Sequence, residues 1–428
     1  MLIARDPAEL RDMLVSKILD RGIRVKSRFG VEIRLGPQLV VAEDAEHFFE
    51  PDTSGWRFCG ENYYDRIAGL MEEGGKKLKE VPYSRRVSIP IWKPRDHLCN
   101  NPPAITEVSF LYADDLLHAT AFLRSMDVIN YFDANFSLVA YTLEVMAEKS
   151  GLEAGSVGML VGIPHIYERD AGRANRRKYS DVYGFHELGT HLVEDYLSSA
   201  WHSALESIYY HGSTKRTEWG ELFEGQEESR FVHRLFVEVK NPEENQIHDK
   251  APFTKKYGID YAHDYVIHAK SIDREVRENI LMEGETYTYA ERARYCQRDD
   301  VTVDQLYTVI GKLKENPARR DCYIGISRPW DLNSDEPPCL RGYQFGVNGE
   351  FFGLFYMRSN DAYGAMHANM FAFNILTEYV AEMCGFERHR YCHFALDAHI
   401  YGEFIDSVRE ILEPETPGYL ERVGKKDH

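Results

Sequence analysis

Hydrophobic and polar positions along the chain predict a series of strands and helices that occurs twice. In the first half, residues 30–35 alternate with a period of two, which favours a strand. The elements predicted after it are a helix at about 64–78, strands at 86–92, 106–112 and 117–123, and a helix at about 134–149 that ends at Gly151. The elements predicted in the second half are a helix at about 303–314, strands at 321–326, 340–345 and 351–357, and a helix at about 368–384.

A spaced set of residues repeats with this pattern. The first copy contains Arg124, Ser125, Asp127, Asn135, His165 and Tyr167, and the second contains Arg358, Ser359, Asp361, Asn369, His399 and Tyr401. Each pair has an offset of 234 residues, and Arg85-Arg86 precedes Arg319-Arg320 by the same offset. Pro102-Pro103-Ala104 matches Pro337-Pro338-Cys339 at an offset one residue longer. This register predicts two diverged copies of one domain, at residues 1–175 and 176–428, of which only the second has a cysteine at the shared position.

Composition limits the classes of function. The 428 residues suit two cores, and 43% hydrophobic residues are enough to fill them. No apolar run is long enough to span a bilayer, so we expect no membrane association. The net charge of −18 argues against a polynucleotide partner, since such binding depends on cationic side chains. Seven cysteines without metal-ligand spacing predict a reduced, cytoplasmic chain with no metal site.

The second half also contains material that the first lacks. A polar, arginine-rich stretch at 170–178 is the predicted linker between the copies, and an extra segment at about 241–283 follows in the second copy. This segment lies in the half that has the cysteine. It is therefore a candidate binding region for a second substrate.

Together these residues resemble the catalytic block of thymidylate synthase and the related pyrimidine nucleotide hydroxymethylases. The residues that carry the resemblance are Pro337-Pro338-Cys339, Arg358-Ser359, Asp361, Asn369 and the run Asp397 to Tyr401, with Lys215-Arg216-Thr217, His263-Asp264, Tyr287 to Arg292 and Arg319-Arg320 upstream. The resemblance covers most of residues 190–405 and, more weakly, 15–170. It implies an α+β fold of two thymidylate synthase-like domains, each a mixed sheet with packed helices, that form an intrachain pseudo-dimer.

The reaction of this family explains why a cysteine is required. Carbon 5 of uracil is a poor nucleophile until a thiolate adds to carbon 6. Cys339 is the candidate nucleophile, and Arg358 would supply the positive charge that favours a thiolate. The alternative for Cys339 is a buried, inert thiol.

The resemblance also implies residues for phosphate, base and sugar. Arginine forks bind phosphate oxygens, and the implied set is Arg216, Arg358 and Ser359 with Arg85 and Arg86 from the other half. The alternative for Arg85 and Arg86 is a solvent-exposed strand end.

Selection of the base is assigned to Asn369, whose amide can pair with uracil N3–H and O4. His399 and Tyr401 resemble the pair that binds the sugar 3′-hydroxyl, and Asp397 belongs to the same substrate-binding run.

The one-carbon donor implied by the resemblance is methylene-tetrahydrofolate, as a co-substrate. Asp361 matches the residue that holds its pterin, Asp264 a carboxylate that relays protons through water, and Tyr289 a group that assists proton removal at carbon 5. The alternative for both acids is a solvated surface carboxylate.

Several positions depart from the family pattern. Leu340 follows Cys339 where a histidine is usual, residues 364–368 replace the usual apolar run, and no tryptophan occurs between Tyr265 and Pro329. These departures leave methyl and hydroxymethyl transfer to a uracil nucleotide as alternatives. A catalytically silent nucleotide-binding protein is an alternative of another class. In the first half, Ala104 cannot attack carbon 6, so that half is a dead site, a regulatory site, or the partner that completes the working one.

Overall fold

The computed structural model describes residues 1–45, 57–59, 61–218, 227–268, 287–294 and 303–413. Its helices are α1 (Pro7–Arg21), α2 (Tyr63–Glu80), α3 (Val128–Ser150), α4 (Leu197–His211), α5 (Lys255–Tyr261), α6 (Tyr289–Arg294), α7 (Gln305–Glu315), α8 (Met366–Met383) and α9 (Ile405–Leu412). The strands before residue 170 are β1 (Leu2–Ala4), β2 (Ile23–Ser27), β3 (Gly30–Arg34), β4 (Gln38–Ala42), β5 (Arg57–Phe58), β6 (Glu61–Asn62), β7 (Ser88–Pro90), β8 (Ile105–Ala113), β9 (Leu116–Leu123), β10 (Met126–Asp127), β11 (Glu153–Val161) and β12 (Pro164–Tyr167). Those after it are β13 (Gly184–His186), β14 (Gly189–Glu194), β15 (Ser213–Arg216), β16 (Glu228–Val239), β17 (Tyr323–Gly325), β18 (Leu340–Asn348), β19 (Glu350–Asp361) and β20 (His389–Tyr401).

The two halves have related mixed sheets. In the first half, one sheet has the strand order β1-β4-β11-β9-β8-β7 and a smaller one the order β10-β12-β3-β2. In the second half, the order is β13-β14-β16-β20-β19-β18-β17, with β15 on β16. The pair β8–β9 corresponds to β18–β19, and the parallel pair β9–β11 to β19–β20. The predicted α+β fold with a duplicated domain is confirmed.

Each half has its own core, and a third core lies between the halves. One face of each main sheet packs against helices of the same half, including α3 in the first and α8 in the second. The opposite faces pack on each other through residues of both halves, among them Phe122, Tyr323, Tyr356 and Phe394. Because the central strands are covered on both sides, they read as nearly continuous buried runs rather than alternating ones.

Buried polar groups fix the relative position of the halves. Arg341 donates from Nε to Glu107 Oε1 at 2.7 Å, and Ser327 donates to the other oxygen at 2.6 Å. Arg234 donates to Thr120 Oγ1 at 2.8 Å and to Ser156 Oγ at 2.9 Å, and burial lowers its pKa to about 9. Removing one partner of such a pair leaves a buried group without compensation, so these contacts favour a single docking geometry.

The structure corrects the residue-by-residue alignment of the two copies in the region before the hairpins β8–β9 and β18–β19. Asp114 and Asp115, both at positive φ, connect β8 to β9, whereas Gly349 alone connects β18 to β19. The offset between the copies is therefore 235 before this hairpin and 234 after it. It follows that Arg85 corresponds to Arg320, and that its earlier pairing with Arg319 is wrong.

Two cysteines differ from expectation. Cys59 and Cys99 form a disulfide, with Cα atoms 5.6 Å apart, so the prediction of a wholly reduced chain is wrong for this pair. Their separation of 40 residues matches no sequence motif, and the contact arises only because the chain turns back around α2. Cys322, Cys339, Cys384 and Cys392 are free thiols. Within the described ranges, no helix is long and apolar enough to cross a membrane.

Candidate active site

A cavity of about 340 Å³ lies beside Cys339, at the ends of β19 and β20. Its residues come from both halves of the chain. They are Arg85, Arg86, Glu218, Tyr257, Tyr261, Tyr265, Tyr287, Tyr289, Cys339, Met357, Arg358, Ser359, Asn360, Asp361, Gly364, Ala365, Ala368, Asn369, His399 and Tyr401. Most of the residues expected from the sequence are thus brought together here.

Cys339 lies just before β18, where the chain enters the sheet. Arg358, on the neighbouring strand β19, places Nη2 3.6 Å from its Sγ. Two carbonyl groups hold this guanidinium, since Nη2 donates to Pro337 at 2.6 Å and Nε to Pro338 at 3.1 Å. A cation is therefore held in a fixed position beside the sulfur. The cysteine is only partly buried and faces the cavity, as a nucleophile must.

Arg85 crosses from the first half into this cavity. Its Nη1 lies 2.6 Å from His399 Nε2, and its Nη2 donates to the Tyr401 hydroxyl at 2.8 Å. Its own carbonyl accepts a 2.7 Å hydrogen bond from Arg358 Nη1. The solvent-exposed alternative for Arg85 is wrong, because its side chain is 5% exposed.

A buried acid balances these cations. Asp397 interacts with Lys215, has an oxygen 3.9 Å from Arg85 Nη1, and lies 2.8 Å from His399 Nδ1. Burial alone would raise the pKa of Asp397, but these three neighbours hold the pKa well below its usual range. Burial and the Arg85 charge lower the pKa of His399 to about 4. Since an arginine can only donate, Nε2 of the neutral ring accepts and its proton lies on Nδ1, toward Asp397.

The other predicted phosphate ligands have different environments. Ser359 is buried on the cavity wall. Arg86 also faces the cavity and has Nε 3.4 Å from Glu218. Arg216 is exposed at the end of β15 and is not among the residues that line the cavity.

Asn369, at the first turns of α8, belongs to a buried polar chain. Its Oδ1 accepts from the Tyr261 hydroxyl at 2.9 Å, and its Nδ2 donates to Asn360 Oδ1 at 3.2 Å. Asn360 lies 2.9 Å from His393 Nε2, and Nδ1 of that ring lies 2.9 Å from the Tyr391 hydroxyl. Nδ2 also donates to Met357 Sδ at 3.9 Å. The chain thus fixes which way the Asn369 amide faces and leaves one lone pair of Oδ1 for a ligand.

Sequence reasoning missed most of this support. Asn360, His393, Tyr391 and Lys215 were not singled out as site residues. A signal for three of them exists in the repeat, because the positions of Asn360, His393 and Tyr391 are occupied in the first half by Met126, Met159 and Val157. Buried polar residues in only one of two copies indicate a function specific to that copy.

A wall of tyrosines faces the sulfur. Tyr261 stacks on Tyr265 with centroids 5.2 Å apart, and Tyr289 packs edge-on against Tyr265 at 5.1 Å. Burial raises the pKa of Tyr289 well above its usual value. Its hydroxyl accordingly remains protonated at neutral pH and lies 3.5 Å from the Leu340 amide nitrogen.

Asp361 and Asp264, the two carboxylates predicted to act with the folate, have different environments. Asp361 ends β19, and its Oδ1 accepts from the amides of Tyr363 and Gly364 at 3.0 Å. Burial raises its pKa to about 6, against the opposing effect of these amides. Asp264 is about one-third exposed, has His263 Nδ1 at 2.7 Å, and is not among the residues lining the cavity.

The described residues fit a folate only in part. Asp361 offers a carboxylate at the mouth of the cavity, and the stacked tyrosines offer flat faces for a pterin. Residues 269–283 of the extra segment lie outside the described residues, as does the C-terminal stretch 414–428.

A possible metal group lies elsewhere. Cys59, Asp96 and Cys99 come within 4.8 Å of one another. The two sulfurs are bonded to each other, and both Asp96 oxygens accept from Arg66. These three residues therefore have no free ligand set for an ion.

The fold is that of a two-domain α+β protein, with a cavity beside the free thiol of Cys339. The model of the thymidylate synthase family matches residues 16–188 and 261–421, and the chain belongs to this family.

Individual relatives are more distant. A protein of Methanosarcina acetivorans named "Putative thymidylate synthase" is 28% identical over 229 residues, which cover 53% of this chain and 96% of that protein. "Thymidylate synthase 1/2" of Encephalitozoon cuniculi is 34% identical over 113 residues, or 26% of this chain and 38% of that protein. Among solved structures, thermostable thymidylate synthase A from Bacillus subtilis is 21% identical with a TM-score of 0.43, covering 52% of this chain and 85% of that one.

Proposed function

We propose that this protein transfers a one-carbon unit from methylene-tetrahydrofolate to carbon 5 of dUMP. The observation that carries the proposal is the placement of Arg358 Nη2 3.6 Å from Cys339 Sγ, in a cavity that Arg85 completes from the other half. The family membership supports the reaction class. The proposed domains are residues 1–175 and 176–428. The cytoplasmic location stays a prediction.

In the proposed reaction, the Cys339 thiolate adds to carbon 6 of the uracil ring. The electron pair of the 5,6 double bond moves toward carbon 5 and O4, which makes carbon 5 nucleophilic. The folate supplies the one-carbon unit that carbon 5 attacks. Loss of the carbon 5 proton would accompany breakage of the bond between the one-carbon unit and the folate nitrogen. Hydride from the reduced folate, which would become dihydrofolate, would then give a methyl group, or water with loss of a proton would give a hydroxymethyl group. The sulfur departs from carbon 6 as this addition occurs, which restores the double bond and the free thiolate.

The chain's residues bind and orient the nucleotide for this step. Arg85, Arg86, Arg358 and Ser359 present donors to the phosphate, and Arg216, which is exposed and outside the cavity lining, is proposed as a further cation for it. His399 and Tyr401, both in contact with Arg85, meet the sugar, and Asp397 fixes the histidine tautomer. The Asn369 amide selects the edge of uracil, with a lone pair of Oδ1 for N3–H and Nδ2 in place of its weak contact with Met357 Sδ for O4.

Proton movements are assigned to groups near carbon 5. The raised pKa of Tyr289 suits a hydroxyl that donates or relays a proton through water rather than a free phenolate. Asp264 is proposed to act through solvent, since its carboxylate lies outside the cavity lining. Asp361 holds the pterin.

One observation favours hydroxymethyl transfer as a second candidate. Six tyrosines line the cavity, and their hydroxyl groups add polar atoms to its wall. A wall of this kind can admit water, which replaces hydride as the last reactant in hydroxymethyl transfer.

The experiment that separates these reactions is product analysis. The protein is incubated with dUMP and methylene-tetrahydrofolate, and the nucleotide product is identified by mass, where a gain of about 14 means methyl and about 30 hydroxymethyl, the cofactor's two possible outcomes. Binding of dUMP without any product, and without trapping of a 5-fluoro nucleotide on Cys339, would favour the silent binding protein and contradict the proposal.

A further inference from the structure

The first half contains a second cavity, larger than the one beside Cys339. Its volume is about 870 Å³, and Ala104 takes the position of the cysteine. The residues that carry the argument are Arg28, Arg124, Tyr131, Asn135, Arg169 and Arg320. As in the other cavity, an arginine crosses from the opposite half, since Arg320 belongs to the second copy. It donates to the Tyr167 hydroxyl at 3.0 Å and contacts His165.

Arg124 is a buried cation that faces this cavity. It donates from Nε to Pro103 at 2.8 Å and from Nη2 to Pro102 at 2.7 Å. Its other contacts are the Arg320 carbonyl and the Ser125 hydroxyl. In the described part of the chain no carboxylate forms an ion pair with it, and burial lowers its pKa to about 10. The methyl group of Ala104 stands where the other half has a sulfur, so this charge meets no potential thiolate.

Positive charge dominates the rim as well. Arg28 and Arg169 are exposed, and their guanidinium carbons lie 4.6 Å and 4.4 Å from the ring centres of Phe29 and Tyr167. The acids present are occupied: Arg319 binds both oxygens of Asp321, and Asp127 caps α3 through Asn130. Glu32 neutralises Arg320 from behind, at 3.2 Å. Arg169 also has Nε 3.8 Å from Asp170, but arginines still outnumber acids among the residues that line the cavity, and this excess of positive charge favours an anion such as phosphate.

Two aromatic rings make the cavity suitable for a base. Phe29 is 50% exposed and Tyr131 is 60% exposed, although both line the cavity. In the second half, the position of Tyr131 is Ala365. Exposed flat rings beside a cationic pocket are typical of sites where a nucleobase stacks. Asn135 adds an amide oxygen, while its Nδ2 donates to Tyr131 O at 2.8 Å.

We propose that the cavity at Ala104 is a second nucleotide site, which binds a nucleoside monophosphate reversibly and without covalent chemistry. The phosphate meets Arg124 and Arg320, with Arg28 and Arg169 at the entrance. The base stacks on Tyr131, since the Arg28 guanidinium already lies over the ring of Phe29. The choice of a nucleotide rests partly on the proposed function, because the two cavities share their arginine, serine, histidine and tyrosine positions.

Equilibrium dialysis of the full chain with radiolabelled dUMP tests the inference. The wild type should bind two molecules per chain, and the matched variants Arg85→Gln and Arg320→Gln should each bind one. Binding of one molecule that Arg85→Gln abolishes and Arg320→Gln leaves intact would overturn the second site. If only the proposed function is wrong, the Cys339 cavity does not bind dUMP, and the wild type binds one molecule that Arg320→Gln removes and Arg85→Gln does not. The two failures are therefore distinguishable.

Exposed variants keep the test valid if Arg320→Gln does not fold. The double variant Arg28→Glu/Arg169→Glu should weaken the second site by at least about tenfold, because two charges at the entrance are reversed. Turnover at the Cys339 cavity should be unchanged. Unchanged dUMP affinity at the second site in this variant would contradict the cationic entrance.

Inorganic phosphate separates a nucleotide from a simple anion. Tyr131→Ala should weaken dUMP by about tenfold through lost stacking, with phosphate affinity unaltered. Equal affinity for dUMP in wild type and Tyr131→Ala, together with equal occupancy by phosphate, would overturn the nucleotide assignment.

Discussion

The Cys339 cavity and the Ala104 cavity have the same framework but different support around it. Each has an arginine on two proline carbonyls and a second arginine from the opposite half. In one, a polar chain through Asn360 and His393 orients Asn369; in the other, apolar Met126 and Met159 occupy those positions and Asn135 bonds to its own helix. The comparison teaches that binding groups can persist when the groups that orient them for chemistry are absent.

The largest expected effect is at the sulfur itself. Cys339→Ala should lower kcat/KM by roughly 10⁴- to 10⁶-fold, as removal of a covalent nucleophile does elsewhere, while dUMP still binds. Mass spectrometry with a 5-fluoro nucleotide should then show no adduct. The matched change Ala104→Gly should leave turnover unchanged, and an adduct that survives Cys339→Ala would contradict the assignment of the nucleophile.

The next largest effect is expected from the arginine that each cavity receives from the opposite half, Arg85 or Arg320. Arg85→Gln is expected to lower kcat/KM for dUMP by about 10²-fold, since charged hydrogen bonds contribute about 1.5 to 3 kcal/mol each. Arg320→Gln is the control, and its turnover should be near wild type. Steady-state kinetics with circular dichroism to confirm folding would measure both. Equal losses in the two variants would show that the arginines act mainly on the docking of the halves.

Two members of the polar chain, Asn360 and His393, can be replaced by methionine, the residue that the first half has at both positions. Asn360→Met with His393→Met should lower kcat/KM for dUMP by about tenfold, the value of one hydrogen bond to the Asn369 amide. Preference for uracil over cytosine nucleotides should fall as well, because the amide can then rotate. Measurement of thermal unfolding serves as the control that the double variant is still folded. A variant that retains full selectivity would show that Tyr261 alone orients Asn369.

Activity should also depend on the ionisation of Asp361. Burial raises its pKa to about 6, so the carboxylate that accepts from a pterin is lost as pH falls through that value. At one unit below the pKa, about a tenth of the activity should remain if the anion is required. Asp361→Asn should remove this limb of the pH–rate profile and raise KM for the folate. A profile unchanged by the substitution would assign the limb to another group.

The smallest effect is expected from restoring the thiol. Ala104→Cys should not create a second working centre, because Asn135 stays bonded to the Tyr131 carbonyl and the chain of Asn360 has no counterpart. Trapping should remain at one adduct per chain. Two adducts would show that the sulfur alone distinguishes the halves.

The sequence predicted the fold class, the duplication and the residues that meet at Cys339. Local pattern placed α2, β8, β9 and α8 within a few residues, because each has a clear period or cap. It started α3 about six residues late, although the N-cap Asp127 and the buried Val128 and Phe132 mark the true start of that helix. The sequence did not reveal the exposed position of Arg216, the place of Asp264 outside the cavity or the role of Lys215. Each depends on how β15 and the extra segment pack, which is a tertiary property.

The crossing arginines have a consequence for how such a chain can change over time. In an assembly of two identical subunits, every substitution appears in both sites at once, so losing a nucleophile would abolish both. Here Arg85 serves one cavity and Arg320 the other, within one polypeptide. A substitution of either arginine therefore alters a single cavity, so one copy of the domain can change while the cavity of the other is preserved.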